Sequence, residues 1–259
     1  VAKLQALIFD VDGTLAETER DGHRVAFNRA FAQAGLDWDW SETLYGELLE
    51  IAGGKERIQF FVEQYNPHGS LPTNRDHFAA YLHAAKSRFY QELLQENAIP
   101  LRPGVRRLLT EALNSGVRLA IATTSTLPNA MALLEHALAP DSRSWFDVIA
   151  AGNIVPAKKP APDIYQFVLD KMGLTPKDCL VIEDSHQGLT AATRAELPVV
   201  VTANGYTRQE DLSTATLVVD HLGEPENPFT VLAGDAAGAS YLDLALAEDL
   251  QSRTCPIGG

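Results

Sequence analysis

Leu4-Gln5-Ala6-Leu7-Ile8-Phe9-Asp10-Val11-Asp12-Gly13-Thr14-Leu15 is the stretch that decides the fold. Leu7, Ile8 and Phe9 form an apolar run that ends on one acid, with a second acid two places on and then a glycine. A run of this kind reads as a buried strand, Leu4 to Asp10, that delivers two carboxylates to its C-terminal end. The spacing suits chemistry: one carboxylate can attack an electrophile while the next handles protons. Gly13 permits the tight turn that follows, and Thr14 offers a hydroxyl. A lone Asp-Gly after a strand is an ordinary turn, so the other strand ends decide how much weight this one bears.

Beyond Glu17 the pattern becomes helical. Ala26, Phe27, Ala30, Phe31 and Ala34 form one stripe, closed by Gly35. Leu44, Leu48 and Ile51 form a second after Ser41, an N-cap type of residue, and Gly53-Gly54 interrupts the pattern. Ile58, Phe61, Val62 and Tyr65 make a third helix that Pro67 ends, and after the loop NPHGSLP a long helix carries Phe78, Leu82, Ala85, Phe89 and Leu93. After Pro103-Gly104 strands alternate with helices: strands at 117–122, 148–151, 180–183, 199–201 and 217–219, helices at 105–116, 129–138, 163–172 and 188–195. That alternation predicts right-handed crossovers and an α/β, doubly wound parallel sheet, with ligands bound beyond the carboxyl ends of its strands. Residues 1–16 plus 100–259 are expected to form this core, and residues 17–99 an inserted helical cap domain. A last surface helix is expected over Tyr241 to Leu250.

Three further strand ends carry polar groups. Thr123, Thr124 and Ser125 follow LAIA, where hydroxyls and free backbone amides suit a phosphate, although Ser and Thr are also common helix caps. Lys159 stands in AKKPAPDIY, where Pro160 restricts it to extended geometry and so fixes its direction, although taken alone it reads more readily as an exposed solubilising lysine. Glu183 and Asp184 close the apolar strand of VIEDS, and adjacent acids at such a place fit a hard cation such as magnesium.

In order and in placement, DVDGT, the strand-terminal Thr123, Lys159 before a proline, and EDS resemble the signature of the haloacid dehalogenase superfamily, most of whose members are phosphatases. The segments DVDGTLAETERDGHRVAFNRAF, GGKERI, KPAPDIY and LGEP are similar to CbbY-like sugar-phosphate phosphatases, relatives of the β-phosphoglucomutase group. The resemblance implies that Asp10 is a nucleophile forming an aspartyl phosphate and that Asp12 is the general acid and base. It also implies Mg2+ held by Asp10, the Asp12 carbonyl, Asp184 and Glu183, with Thr123, Thr124 and Lys159 on the transferring oxygens. The substrate it implies is a small phosphorylated sugar, xylulose 1,5-bisphosphate for the CbbY-like group. A bisphosphate needs a second cationic site, for which the cap offers Lys55, Arg57 and Lys86, with Glu17 and His23 for sugar hydroxyls. The alternatives are a phosphomutase of the same fold and, more remotely, a non-catalytic phosphosugar-binding protein.

Composition narrows the partners. The 259 residues carry a formal charge of −13 and a pI near 4.9, which argues against nucleic acid or an anionic membrane. An anionic substrate then needs local help from metal, lysine or helix ends. Cys179 and Cys255 lie far apart without metal-ligand spacing, Cys179 at the head of an apolar run. With no leader-like segment and no apolar run of membrane-spanning length, the expectation is a cytoplasmic monomer.

Overall fold

The computed structural model describes residues 3–51, 53–65, 74–96 and 98–253. The chain divides into two compact units, Val1–Glu17 with Pro100–Gly259, and Thr18–Ile99. The first is built on seven strands: β1 (Ala6–Phe9), β2 (Arg118–Thr123), β3 (Val148–Ala151), β4 (Cys179–Glu183), β5 (Val199–Thr202), β6 (Leu217–Val219) and β7 (Val231–Gly234). Their order is β3-β2-β1-β4-β5-β6-β7, parallel throughout except for the β6–β7 pair. β1 lies between β2 and β4, with Phe9 opposite both Ile121 and Ile182. The strand order reverses between β1 and β4, which is where a doubly wound sheet opens its ligand crevice.

Central strands covered on both faces must be apolar throughout, and β1 is. Ala6, Leu7, Ile8 and Phe9 have no exposed surface, and each of the three larger side chains stabilises the fold by roughly 1.5–3 kcal/mol through burial. Helices α5 (Val105–Ser115), α6 (Leu127–Leu133), α7 (Asp163–Met172), α8 (His186–Arg194) and α9 (Leu244–Arg253) complete this unit. Cys179 is buried as the first residue of β4, whereas Cys255 lies outside the described residues.

Two sequence readings need correction here. The series of strands does not close at 217–219, because β7 adds an antiparallel edge. Val231 is 40% exposed and most of β7 with it, and its apolar run, Val231-Leu232-Ala233, is short and stands in a turn-rich stretch. The last helix starts at Leu244 rather than Tyr241, because Asp243 caps it: Asp243 Oδ1 accepts from Leu246 N at 2.8 Å. It is the surface helix expected, with Leu244, Leu246, Ala247 and Leu250 buried on one face and Ala245, Glu248 and Asp249 exposed on the other.

The second unit is helical among its described residues. A wide helical turn, Thr18–His23, leads into α1 (Arg24–Gln33), followed by α2 (Glu42–Leu48), α3 (Gly54–Tyr65) and α4 (Arg75–Gln95). Ser41 caps α2, accepting from Leu44 N at 3.2 Å. Phe27, Phe31, Trp38, Trp40, Tyr45 and Phe61 form an aromatic core with ring centroids 4.6–6.2 Å apart. Such large apolar surfaces let a small helical unit hold together. Pro67 and the whole NPHGSLP loop expected before α4 lie outside the described residues. No described helix is long and apolar enough to cross a membrane.

Candidate active site

Because β1 and β4 run in parallel register, Asp10 and Glu183 leave the sheet side by side. Asp10 N donates to the Ile182 carbonyl at 3.0 Å, and Asp184 follows directly. Carboxylate oxygens of Asp10, Glu183 and Asp184 all lie within 4.8 Å of one another, and all three residues are buried. Lys159 is drawn into this group from the loop before α7. Its Nζ donates to Asp10 Oδ1 at 2.7 Å, Glu183 Oε1 at 2.5 Å and the Ala122 carbonyl at 2.8 Å. The Lys159–Pro160 peptide bond is cis.

Glycines make room for the acids at two points. A Cβ on Gly188, in the first turn of α8, would lie 2.0 Å from the Glu183 carboxylate. A Cβ on Gly13 would lie 2.1 Å from Asp184 Oδ2, and Gly13 also has φ +84°, which disfavours a side chain independently.

Three buried carboxylates facing one ammonium leave the pocket short of positive charge. Burial, then Glu183 and Asp12, push Asp10 up to about 7 against the pull of Lys159. Burial, then Asp10 and Glu183, also raise Asp184 well above the carboxylate range. Burial alone would lower Lys159, but Asp10 and Glu183 more than offset it and hold the ammonium above its ordinary range. A hard divalent cation answers this deficit, and the donors are all oxygens, as magnesium prefers.

The remaining residues singled out in the core have distinct settings. Asp12 accepts a close hydrogen bond from Ser125 Oγ, which joins the ends of β1 and β2. Thr123 is buried and its Oγ1 accepts from Ser125 N at 3.1 Å, while Thr124 is exposed. Glu17 Oε1 lies 3.1 Å from Arg102 Nε, so its carboxylate has a salt-bridge partner.

In the helical unit the candidates separate into two kinds. Lys55 is exposed in the first turn of α3. Arg57 is buried, donating to the carbonyls of Leu48 (2.9 Å) and Ile51 (3.2 Å) and to Tyr45 Oη (3.1 Å). Lys86 Nζ lies 2.9 Å from His23 Nδ1 and over the rings of Phe27 and Tyr90, 5.2 and 5.4 Å from their centroids. Burial, then Lys86, Arg57 and His83, hold His23 well below the imidazole range. His83 is lowered too, by burial and then by Lys86 and Lys55.

Two supporting residues escaped the sequence reading. Arg102, 6% exposed, donates to the carbonyls of Thr202 (2.7 Å), Ala203 (3.1 Å) and Asp220 (2.5 Å), and closely to that of Gly13. It thus ties the Asp12 loop to the ends of β5 and β6. Its only signal is a lone cation between Pro100 and Pro103. Tyr165, fully buried, donates a close hydrogen bond to Glu183 Oε1 and shares that oxygen with Lys159. Its place in the apolar stripe of α7 reads as core packing alone.

Residues 4–196 match the model of the haloacid dehalogenase-like hydrolases. Protein CbbY of Cupriavidus necator is 47% identical over 225 residues, covering 87% of this chain and 88% of that protein. A phosphorylated carbohydrates phosphatase of Thermotoga maritima is 31% identical over 192 residues, covering 74% and 82%. The crystal structure of a point variant of CbbY from Rhodobacter sphaeroides, in complex with xylulose-(1,5)bisphosphate, matches with a TM-score of 0.71 and 43% identity. That match covers 84% of this chain and 94% of the other.

Proposed function

The chain belongs to the haloacid dehalogenase-like hydrolases, and on that premise we propose that it is a magnesium-dependent phosphatase of a phosphorylated sugar, with xylulose 1,5-bisphosphate as the specific candidate. The observation that carries the reading is the buried group at the ends of β1 and β4, where Lys159 joins Asp10 to Glu183 beside Asp184. The similarity to CbbY proteins, one of them solved with that bisphosphate, supports the choice of substrate.

An Asp10 carboxylate oxygen attacks phosphorus, forming a new P–O bond as the bond to the sugar oxygen breaks. Asp12 protonates the departing oxygen and then takes a proton from the water that attacks the aspartyl phosphate, releasing inorganic phosphate and restoring both acids. The close bond from Ser125 holds the Asp12 carboxylate at the mouth of β2 for both transfers. Lys159, held cationic by two carboxylates, balances charge on the transferring oxygens, and Thr123 with the Thr124 amide is assigned to the same oxygens. Asp10, the Asp12 carbonyl and Asp184 would hold the cation. Glu183 Oε1 already accepts from Lys159 and Tyr165, which favours an outer position for that residue. When bound, the magnesium ion neutralises phosphoryl charge and draws Asp10 toward its ionised, nucleophilic form. Lys55, exposed beside Gly53-Gly54, is the leading candidate for a second phosphate, because the Arg57 guanidinium is committed to carbonyls of its own unit.

The test is phosphate release from a panel of sugar mono- and bisphosphates, with Mg2+ and with EDTA, for the protein and for Asp10→Asn. We expect Mg2+-dependent release, with turnover of the variant lowered by more than about 10³-fold because an amide does not attack phosphorus. A variant keeping a tenth of normal kcat, a barrier change of only about 1.4 kcal/mol, rules out Asp10 as nucleophile. Formation of an isomeric sugar phosphate without phosphate release identifies a mutase.

A further inference from the structure

The loop after β5 contributes a side chain that lies beyond every motif above. Asn204 is 8% exposed, and its Oδ1 accepts from Tyr206 N at 2.8 Å and Thr207 N at 3.2 Å. Two backbone donors aimed at one end of an amide identify that end as the oxygen, so the nitrogen must point the other way. It points at Asp184, where Nδ2 donates to Oδ2 at 2.8 Å. The loop is anchored on both sides of this contact: Arg102 donates to the carbonyls of Thr202 and Ala203, and Asn204 N donates to Thr207 Oγ1 at 3.0 Å. Gly13 leaves the space the pair occupies, since a Cβ there would lie 2.9 Å from Asn204 Nδ2 as well as against Asp184.

We propose that Asn204 is a positioning residue for the divalent cation, acting by holding the Asp184 carboxylate in a single rotation. The inference rests on the magnesium reading of the Asp10–Glu183–Asp184 cluster. A carboxylate free to rotate loses that freedom when it binds a metal, whereas one already fixed through an oxygen has less to lose. An amide suits the task better than a second lysine, because it donates a hydrogen bond without adding positive charge beside a cation site. Removing such an outer partner weakens metal affinity by about 10–100-fold in other proteins.

The experiment is calorimetric titration of MgCl2 into EDTA-stripped, dialysed protein, alongside the thermal midpoint of each metal-free sample. Asn204→Ser keeps an oxygen that can accept from the loop amides but is too short to reach Asp184. Asn204→Ala loses both functions, and Thr207→Val loosens the loop while leaving the Asn204–Asp184 bond. We expect Mg2+ binding about 10–100-fold weaker in both Asn204 variants, although Asn204→Ala is the less stable of the two. Thr207→Val should lower the midpoint yet stay within about threefold of the parent in affinity, and kcat of Asn204→Ser should recover at high Mg2+. Unchanged affinity in Asn204→Ser, or an equal loss in Thr207→Val, overturns the proposal while the metal reading stands. A parent protein that binds no Mg2+ overturns both.

Discussion

Lys159 and Lys86 are both removed from solvent, and the two units hold them by opposite means. Lys159 sits among carboxylates brought together by parallel strands, with Asp10 and Glu183 at 2.7 and 2.5 Å. Lys86 sits beside an imidazole and over two ring faces, among helices that also carry Lys55, Arg57 and His83. The first setting keeps a cation charged by surplus negative charge. In the second, burial and then the crowding of positive charge lower the neighbouring histidines from the imidazole range. The pocket of the sheet unit therefore calls for a cation, whereas the group around Lys86 is a local cluster of cations within a helical unit that is acidic as a whole.

The sharpest way to break this contrast is Lys159→Met. If the ammonium serves phosphoryl transfer, kcat/KM for phosphate release should fall by about 10²–10³-fold, the cost of removing one electrostatic donor. Activity within threefold of normal returns Lys159 to a structural role. The same change leaves Asp10 and Glu183 without their cation, so the metal-free variant should be less stable, by up to about 3–5 kcal/mol, with Mg2+ restoring part of the loss. A thermal melt with and without Mg2+ checks this.

A smaller effect is expected on the pH dependence of stability without metal. A carboxyl raised from 3.8 to about 7 binds more protons in the folded than in the unfolded chain over that interval. Its contribution therefore declines as pH rises from about 4 to about 7, by a few kcal/mol at most. His23 and His83, lowered on folding, work in the other direction as pH rises toward 6.5. Comparison with Asp10→Asn isolates the carboxyl. In EDTA the variant should gain stability relative to the parent across this interval, and added Mg2+ should narrow the gap. A pH-independent difference between the two removes the electrostatic account of the pocket.

The smallest effects sharpen the helical side. Arg57→Ala should cost about 2–4 kcal/mol of stability, because it strands buried acceptors on Leu48, Ile51 and Tyr45. Lys55→Ala should leave stability unchanged and raise KM for bisphosphates about tenfold, roughly 1.4 kcal/mol, while sparing monophosphates. Steady-state kinetics on both substrate types, beside urea titrations, separate the two. Equal effects of Lys55→Ala on mono- and bisphosphates put the second phosphate elsewhere.

Much of the molecule is legible in the sequence itself. The apolar run of β1, the alternation after Gly104 and the helical stripes between Glu17 and Ile99 follow from burial, because strands covered on both faces and amphipathic helices impose their periods on the chain. The acids at strand ends were legible through the cost of burying charge, because an ionised group beside an apolar run is unfavourable unless an opposite charge or a ligand meets it, whereas Lys159 by itself reads as an exposed lysine and only the order of the motifs singles it out. The exposed edge strand β7 was not, since Val231-Leu232-Ala233 is too short an apolar run to stand out from the turns around it.

What the tertiary structure alone decided is which polar groups meet. Nothing in the spacing of Asn204, Arg102 or Tyr165 relates them to residues from about 20 to 90 positions away, yet parallel register and loop closure set each within hydrogen-bonding distance of the motif residues or their backbone. Likewise the sequence presents Lys55 and Arg57 as equivalent cations two residues apart. Helical rotation exposes one and turns the other inward onto carbonyls. Periodicity reports whether a side chain is buried, but a hydrogen bond between distant segments depends on distances that only the folded chain sets.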